Sequence, residues 1–559
     1  TLAGVSGFQL HFSSTEIFTP GDQPDVLVAM NPAALAVNAH ELRDGGSLIV
    51  DTDAFNASNL RKAGFEGNPL EDEVLAARVH LFKIPITKLT TTELADLKLP
   101  NKTVIRCKNF FALGLCSWMY NRPVEETLKW VGQKFKKAPV LVEANVRAFK
   151  AGWNYGENTE VFSSRVRVLK RAAVEPGTYR RVNGNEALVM GMVTAATKAS
   201  KTLFYGSYPI TPASQILEEL SALRNFNVRT FQAEDEISAV CAALGASYGG
   251  SLGVTSSSGP GVALKTEAMG LAISIELPLV IVNSQRAGPS TGMPTKTEQS
   301  DLYQAVYGRN ADSPIVVLAS RSPGDCFDVA IESVRLATKY MTPVILLTDG
   351  YLANGSEPWQ VPKIDDLPPF DVTFADKSKI ADGQFMPYLR DQDTLARPWA
   401  IPGTEGLEHR IGGLEKEDVT GNVSYDPDNH HHMVETRALK VENIANEFEP
   451  TEIFGKKSGD LLLLSWGGTK GACRSAAESL QDEKKKVSHV HLRWVNPLPN
   501  DLGEILIKFN NILIPEINYG QLIKIIRSEF LVDAKGLNLV RGKPINSADI
   551  QETAKNLIG

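Results

Sequence analysis

Cysteine is scarce in this chain of 559 residues. The five present, Cys107, Cys116, Cys241, Cys326 and Cys473, form no Cys-x-x-Cys pair and share no spacing. That excludes a disulfide framework and leaves no nest for zinc or an iron–sulfur cluster. Basic residues are not in excess: 58 Lys and Arg stand against 65 Asp and Glu, a formal charge of −7. Neutralising a phosphate backbone needs a basic surface, so a general nucleic-acid binder is excluded. Long apolar runs are missing as well. Stretches such as 461–464 and 277–282 fall far short of the ~18 residues of a membrane span. A reduced, cytoplasmic chain with no membrane and no nucleic-acid partner is the expectation.

The length corresponds to roughly three or four domains, and 43% apolar residues can furnish a core for each. Short β-rich apolar runs bounded by turn residues recur at 25–29, 47–50, 139–142, 202–205, 277–282, 314–318, 343–347, 460–464, 487–492 and 511–514. Amphipathic stretches of helix length, such as 236–248 and 324–340, lie between them. This alternation predicts an α/β fold with mostly parallel sheets covered on both faces. The rhythm fails over 162–181, which reads as a basic linker ending in Glu175-Pro176-Gly177, and over 358–446, a Pro-, Gly- and Asp-rich stretch without a confident strand. A loop of that length is usually functional or faces a partner. Three domains follow, at 1–165, 182–356 and 455–559, with 357–454 as a long linker or insertion.

The chemistry concentrates in the middle domain. Tyr208-Pro209-Ile210-Thr211-Pro212 follows a strand and precedes a helix at 214–223, so the Thr211 hydroxyl sits where open α/β sheets bind ligands. The plainer alternative makes Thr211 an N-cap and Pro212 the first helical residue. Next, Glu234-Asp235-Glu236 opens a helix rich in small residues. Three carboxylates can simply complement the helix dipole, but close packing of that helix carries one of them inward, where burial suits it to proton transfer. Finally, Ser256-Ser257-Ser258-Gly259-Pro260-Gly261 is either an anion cradle or a tight strand-to-helix turn. Arg286, at the end of the next strand, is either a bidentate carboxylate clamp or one half of a surface ion pair.

Taken together, these residues resemble a known pattern. Glu236, Ala239, Ala242, Ala243 and Gly245, continued by Ser258-Gly259-Pro260-Gly261 and Leu277-Pro278-Leu279-Val280, are similar to the pyrimidine-binding domain of thiamine-diphosphate enzymes. Tyr208-Pro209-Ile210-Thr211-Pro212 narrows the resemblance to the 2-oxoacid:ferredoxin oxidoreductases. Pro20-Gly21-Asp22-Gln23-Pro24-Asp25 and Asn31-Pro32-Ala33-Ala34 look like that family's gamma domain, although its Gly-rich opening is largely absent around 4–18. Ser465-Trp466-Gly467 and Val495-Asn496-Pro497-Leu498-Pro499 resemble its transketolase C-terminal-like domain. The gamma-then-alpha order resembles the fused alpha subunit of the enzymes that act on 2-oxoglutarate.

The resemblance implies oxidative decarboxylation of 2-oxoglutarate with coenzyme A to succinyl-CoA and CO2, with electrons passed to ferredoxin. Pyruvate or a branched 2-oxoacid as substrate, or a non-catalytic assembly role, are the alternatives. Glu236 would contact the cofactor's aminopyrimidine ring and promote loss of its C2 proton, with Pro209 and Ile210 beside the cofactor. Thr211 and Arg286 would bind the 2-oxoacid carboxylate, and Arg286 is expected to have no protein partner in the empty site. Thiamine-diphosphate enzymes hold Mg²⁺ and the diphosphate with a Gly-Asp-Gly motif, because the hard cation needs oxygen ligands. No Gly-Asp-Gly occurs here; Asp349-Gly350 is only a fragment. The resemblance therefore implies a beta subunit carrying the diphosphate clamp, Mg²⁺ and an iron–sulfur cluster, in a dimer of alpha-beta heterodimers. No metal is expected on this chain: His430-His431-His432 is read as a solvated polar loop.

Overall fold

The computed structural model describes residues 5–159, 162, 165–169, 174–367, 372–381 and 383–559. It separates into two compact units, Thr1–Glu175 and Pro176–Gly559.

The first unit holds a parallel three-stranded sheet of β1 (Val26–Ala29), β2 (Ser47–Asp51) and β3 (His80–Ile84). Beside it, the helices Asn101–Met119 and Pro139–Asn158 pack together. Their approach is set by two glycines. A Cβ on Gly114 would run into the Phe149 carbonyl, and one on Gly152 into the Phe111 carbonyl. The run 139–142, expected as a strand, is instead the first turn of the second helix. Val-Leu-Val is ambiguous by itself, but Ala144, Ala148, Gly152 and Gly156 recur every four residues and are all buried, which is a helical stripe.

In the second unit, β4 (Tyr179–Asn183), β5 (Leu203–Ser207), β6 (Val228–Gln232), β7 (Leu252–Ser257), β8 (Leu279–Gln285), β9 (Val316–Ala319), β10 (Pro343–Asp349) and β11 (Ser356–Gln360) come first. The short pair β12 (Ile380–Ala381) and β13 (Gln384–Phe385) follows, then β14 (Ile453–Phe454), β15 (Gly459–Trp466), β16 (Val487–Leu492), β17 (Trp494–Asn496), β18 (Phe509–Glu516) and β19 (Lys535–Asn538). The central sheet runs β17-β9-β10-β8-β7-β5-β6 and is parallel except for β17. A second sheet runs β14-β16-β15-β18-β19, antiparallel only at β14. β8 and β10 are buried at every position, as a parallel sheet covered on both faces requires. The α/β class and the predominance of parallel pairing match the expectation.

The stretch 162–181 lies partly outside the described residues, and its end is strand rather than linker, since β4 pairs antiparallel with β11. The stretch 358–446 is more ordered than its composition suggested. Its helix Pro427–Glu442 carries the three adjacent histidines, which were expected in a loop. Helical geometry points them apart, and each meets a different carboxylate: His430 with Glu415, His431 with Glu435, His432 with Asp418.

The same stretch supplies a buried ionic cluster. Glu276 ends the helix Thr266–Ile275 in a left-handed conformation, φ +50°, and is 1% exposed. Its carboxylate accepts from Arg390 at 2.5 and 2.7 Å and from Lys440 at 2.5 Å. Burial alone would raise the Glu276 carboxyl, but Lys440 and Arg390 outweigh it and hold the group at about 2. Arg397 Nε donates to the Ile275 and Glu276 carbonyls at 2.9 and 3.1 Å, closing the helix end.

Candidate functional site

Parallel strands deliver their C-terminal residues to one edge. Here that edge gathers Ser207 of β5, Gln232 of β6, Ser257 of β7 and Gln285 of β8. Each is followed by one of the segments singled out in the sequence. After β5, Tyr208 and Pro209 are exposed, and Ile210 is half-buried against the core. The following helix begins at Ser214 after Ala213. Thr211 is therefore not an N-cap and Pro212 is not its first helical residue. The Thr211 side chain is exposed, and its carbonyl accepts from Arg286 Nη1 at 2.8 Å.

After β6, Asp235 rather than Glu236 caps the helix Glu236–Tyr248, its carboxylate accepting from the Ser238 amide at 2.7 Å. Glu234 and Asp235 are exposed and Glu236 is half-buried. Of the three carboxylates, Glu236 is the one drawn inward, because the helix behind it seats Ala239, Val240 and Ala243 in the core. A Cβ on Gly261 would collide with Ser257 Oγ and come within 2.8 Å of Glu236 Cγ and Oε1. Glycine there lets the turn after β7 close onto the Glu236 side chain.

After β8, Arg286 is 7% exposed. It is not free of protein partners, as had been expected: it binds the Thr211 carbonyl, which joins the two proposed substrate residues, while its Nε has no acceptor. The chain then folds back over 287–301. Asp301 accepts from Asn283 Nδ2 at 3.1 Å, and its amide donates to Gln285 Oε1 at 3.1 Å. Burial pushes the Asp301 carboxyl up to about 6, with Asn283 opposing and nearby Glu298 adding to the rise.

This edge is where the polar accounting fails to close. Twelve buried side-chain polar atoms have no partner among the described residues, and six of them belong to Ser257, Ser258, Asn283, Ser284, Arg286 and Gln304. Buried polar groups are otherwise satisfied almost without exception, so a cluster of open ones marks a place built for a polar ligand. A cavity of about 650 Å³ lies elsewhere, beside Met341 before the start of β10. Its cations Arg335, Lys339 and Arg390 are already paired with Glu332, Glu447 and Glu276, and Arg390 Nε contributes a single open atom there.

Comparison with known proteins gives the family. Residues 195–425 match the family model for the thiamine-diphosphate-binding part of pyruvate flavodoxin/ferredoxin oxidoreductase, and residues 3–155 match the pyruvate ferredoxin/flavodoxin oxidoreductase model. The 2-oxoglutarate oxidoreductase subunit KorA of Mycobacterium tuberculosis is 50% identical over 543 residues, covering 97% of this chain and 82% of that protein. The chain belongs to the 2-oxoacid:ferredoxin oxidoreductase family. Another member, the alpha subunit of 2-oxoacid:ferredoxin oxidoreductase 1 of Aeropyrum pernix, is 31% identical over 84% of this chain and 74% of its own. A solved family structure, 2-oxoglutarate:ferredoxin oxidoreductase of Magnetococcus marinus with 2-oxoglutarate, coenzyme A and succinyl-CoA bound, superposes with a TM-score of 0.86. It is 30% identical and covers 98% of this chain and 90% of its own.

Sequence reasoning missed Asn283, Asp301 and Lys265. Asp301 lies 15 residues beyond Arg286 in a polar stretch with no period to flag it. Lys265 did leave a signal: it is the first charged residue after Glu236 in a long run of small and apolar ones. Among the described residues, no group of three His, Cys, Asp or Glu is placed to hold a metal ion.

Proposed function

We propose that this chain is the alpha subunit of a 2-oxoglutarate:ferredoxin oxidoreductase, active only with a beta subunit. The reaction converts 2-oxoglutarate and coenzyme A to succinyl-CoA and CO2 and reduces ferredoxin. The substrate assignment is supported by a 50% identical relative that carries 2-oxoglutarate in its name and by a structural neighbour with that acid bound. The site assignment rests on one observation, the cluster of open polar groups at the ends of β7 and β8.

The donor set fits the polar edge of thiamine diphosphate. Ser257 offers an unpaired hydroxyl beside Glu236, and Ser258 and Asn283 offer unpaired oxygens at the same sheet edge, with Pro209 and Ile210 assigned to the approach. When bound, thiamine diphosphate supplies the nucleophilic carbon that attacks the oxo carbon and takes up the electrons of the broken C–C bond. Glu236 exchanges a proton with the cofactor's aminopyrimidine ring. Arg286 presents an unpaired Nε to the 2-oxoacid carboxylate, and Thr211 offers its exposed hydroxyl to the same group.

Mg²⁺, the diphosphate clamp and an iron–sulfur cluster are assigned to the beta subunit, because this sequence has neither Gly-Asp-Gly nor clustered cysteines. The assembly is assigned to a dimer of alpha-beta heterodimers in the cytoplasm. Within the second unit, 182–356 is read as the pyrimidine-binding domain and 455–559 as the transketolase C-terminal-like domain, with 357–454 between them.

The test is Glu236→Gln in the reconstituted complex. Exchange of the cofactor's C2 proton should slow by ~10²-fold while 2-oxoglutarate binding is unchanged. An unaltered exchange rate removes Glu236 from this role. A 2-oxoacid panel in which pyruvate outperforms 2-oxoglutarate overturns the substrate.

A further inference from the structure

Lys265 has no role in the reading above, yet it is 0% exposed. It sits between the helices Gly259–Leu264 and Thr266–Ile275. Its Nζ donates to Thr255 Oγ1 of β7 at 2.9 Å and to the Glu236 carbonyl at 3.1 Å. Among the described residues it forms no ion pair. An ammonium buried on two neutral acceptors is costly, since desolvation is not offset by a carboxylate. Burial accordingly draws Lys265 down to about 8, against the upward pull of Glu236. A plain packing role would be filled better by methionine or leucine.

What the ammonium achieves is a lateral tie. Helix carbonyls normally face along the axis, and this one, on the first helical residue, also receives a donor from the junction of two neighbouring helices. We propose that Lys265 is a positioning residue that pins the first turn of the helix carrying Glu236 to β7, fixing where the Glu236 carboxylate meets the cofactor. The inference rests on the Glu236 reading above. A misplacement of about 1 Å at such a group is enough to cost ~10²-fold in rate, which makes the cost of a buried charge intelligible at this position and nowhere else along the helix.

Two substitutions address it. Lys265→Met keeps the volume and removes the tie, and Thr255→Val removes the other anchor with almost no change in shape. Amide hydrogen exchange is measured first in the cofactor-free alpha-beta complex, over peptides covering 234–241. Both variants should exchange ~10-fold faster there, with melting temperature within a few degrees of the parent. In the loaded enzyme, kcat and C2 proton exchange should fall together by ~10-fold or more for Lys265→Met and by less for Thr255→Val, with KM for 2-oxoglutarate unchanged.

The proposal is overturned if either folded variant keeps parental amide protection and parental kcat. It is also overturned if melting falls while kcat per folded molecule stays normal, the mark of structural support alone. Glu236→Gln run in parallel separates the two readings. If it leaves C2 exchange at the parental rate, the Glu236 assignment has failed, and Lys265 with it. If it slows C2 exchange while the Lys265 and Thr255 variants do not, only the positioning role is lost.

Discussion

Replacing Arg286 tests substrate binding against structural support, because the structure lets both costs be weighed. Arg286→Ala removes the hydrogen bond from Nη1 to the Thr211 carbonyl, a charged-to-neutral bond worth about 1.5–3 kcal/mol. It also removes a guanidinium that is 7% exposed and has an open Nε. The desolvation of such a group costs several kcal/mol when no carboxylate pairs with it. The two effects oppose each other, so the net change in stability should be within about 1 kcal/mol. Catalysis has no such offset. Removing a buried partner of the substrate anion should lower kcat/KM by ~10²-fold, or about 2.7 kcal/mol, chiefly through KM. Arg286→Lys keeps the charge but loses the planar fork, and should fall between. The assay is steady-state reduction of ferredoxin by the reconstituted complex alongside calorimetric melting of the same preparations. If Arg286→Ala melts much earlier and its kcat/KM per folded molecule is normal, Arg286 is a strut for the 208–212 turn and the substrate assignment is wrong.

Glu276→Gln should be among the most damaging changes away from the site. It strands Lys440 without a counter-charge and leaves Arg390 only Asp418, 3.8 Å away, at a cost of about 3–5 kcal/mol, read as a lower urea midpoint with the m-value unchanged. Acid tests the same cluster. The folded Glu276 carboxyl is depressed to about 2 from an ordinary 4.5, so its contribution is fully present above about 4.5 and is lost as pH falls toward about 2, roughly 3 kcal/mol in all. Unfolding that is no steeper below pH 4.5 than in Glu276→Gln would refute it. In the first unit, Gly152→Ala should cost more than 2 kcal/mol by forcing its helix off the Phe111 carbonyl, against the ~1 kcal/mol gain that Ala brings to an exposed helix. A variant as stable as the parent in urea would show that the two helices pack otherwise.

Legibility in the sequence followed the physics of burial. Strands with both faces covered spell themselves as apolar runs, which is why 343–347 fell inside β10 and 277–282 ran into β8, while 487–492, Val-Ser-His-Val-His-Leu, matched β16 residue for residue on its spaced apolar residues. β6 reads Val-Arg-Thr-Phe-Gln and lies at the sheet edge, exposed over most of its length, so it carries no such run. β4 reads Tyr-Arg-Arg-Val-Asn and was taken for linker because its partner, β11, lies more than 170 residues away. At the site, Thr211, Glu236 and Arg286 could be picked out because each follows a strand end in a recognisable segment. The contact between Thr211 and Arg286 could not, since it depends on a backbone carbonyl. Nor could the cluster of open hydroxyls and amides, because Ser and Asn look alike in sequence whether satisfied or not.

One residue, Arg493, separates β16 from β17, and the two strands belong to different sheets. Its carbonyl accepts from the Ala319 amide at 2.8 Å and its guanidinium binds Asp325. A connection of a single residue spans only two Cα–Cα steps of about 3.8 Å each, too short to act as a hinge. The two larger sheets of the second unit are in effect welded, and rotation of one against the other would require β17 to peel from β9. Motion that admits substrate or releases product therefore has to come from the loops at the strand ends or from the subunits around them, and hydrogen exchange across 487–496 should report a single cooperative block.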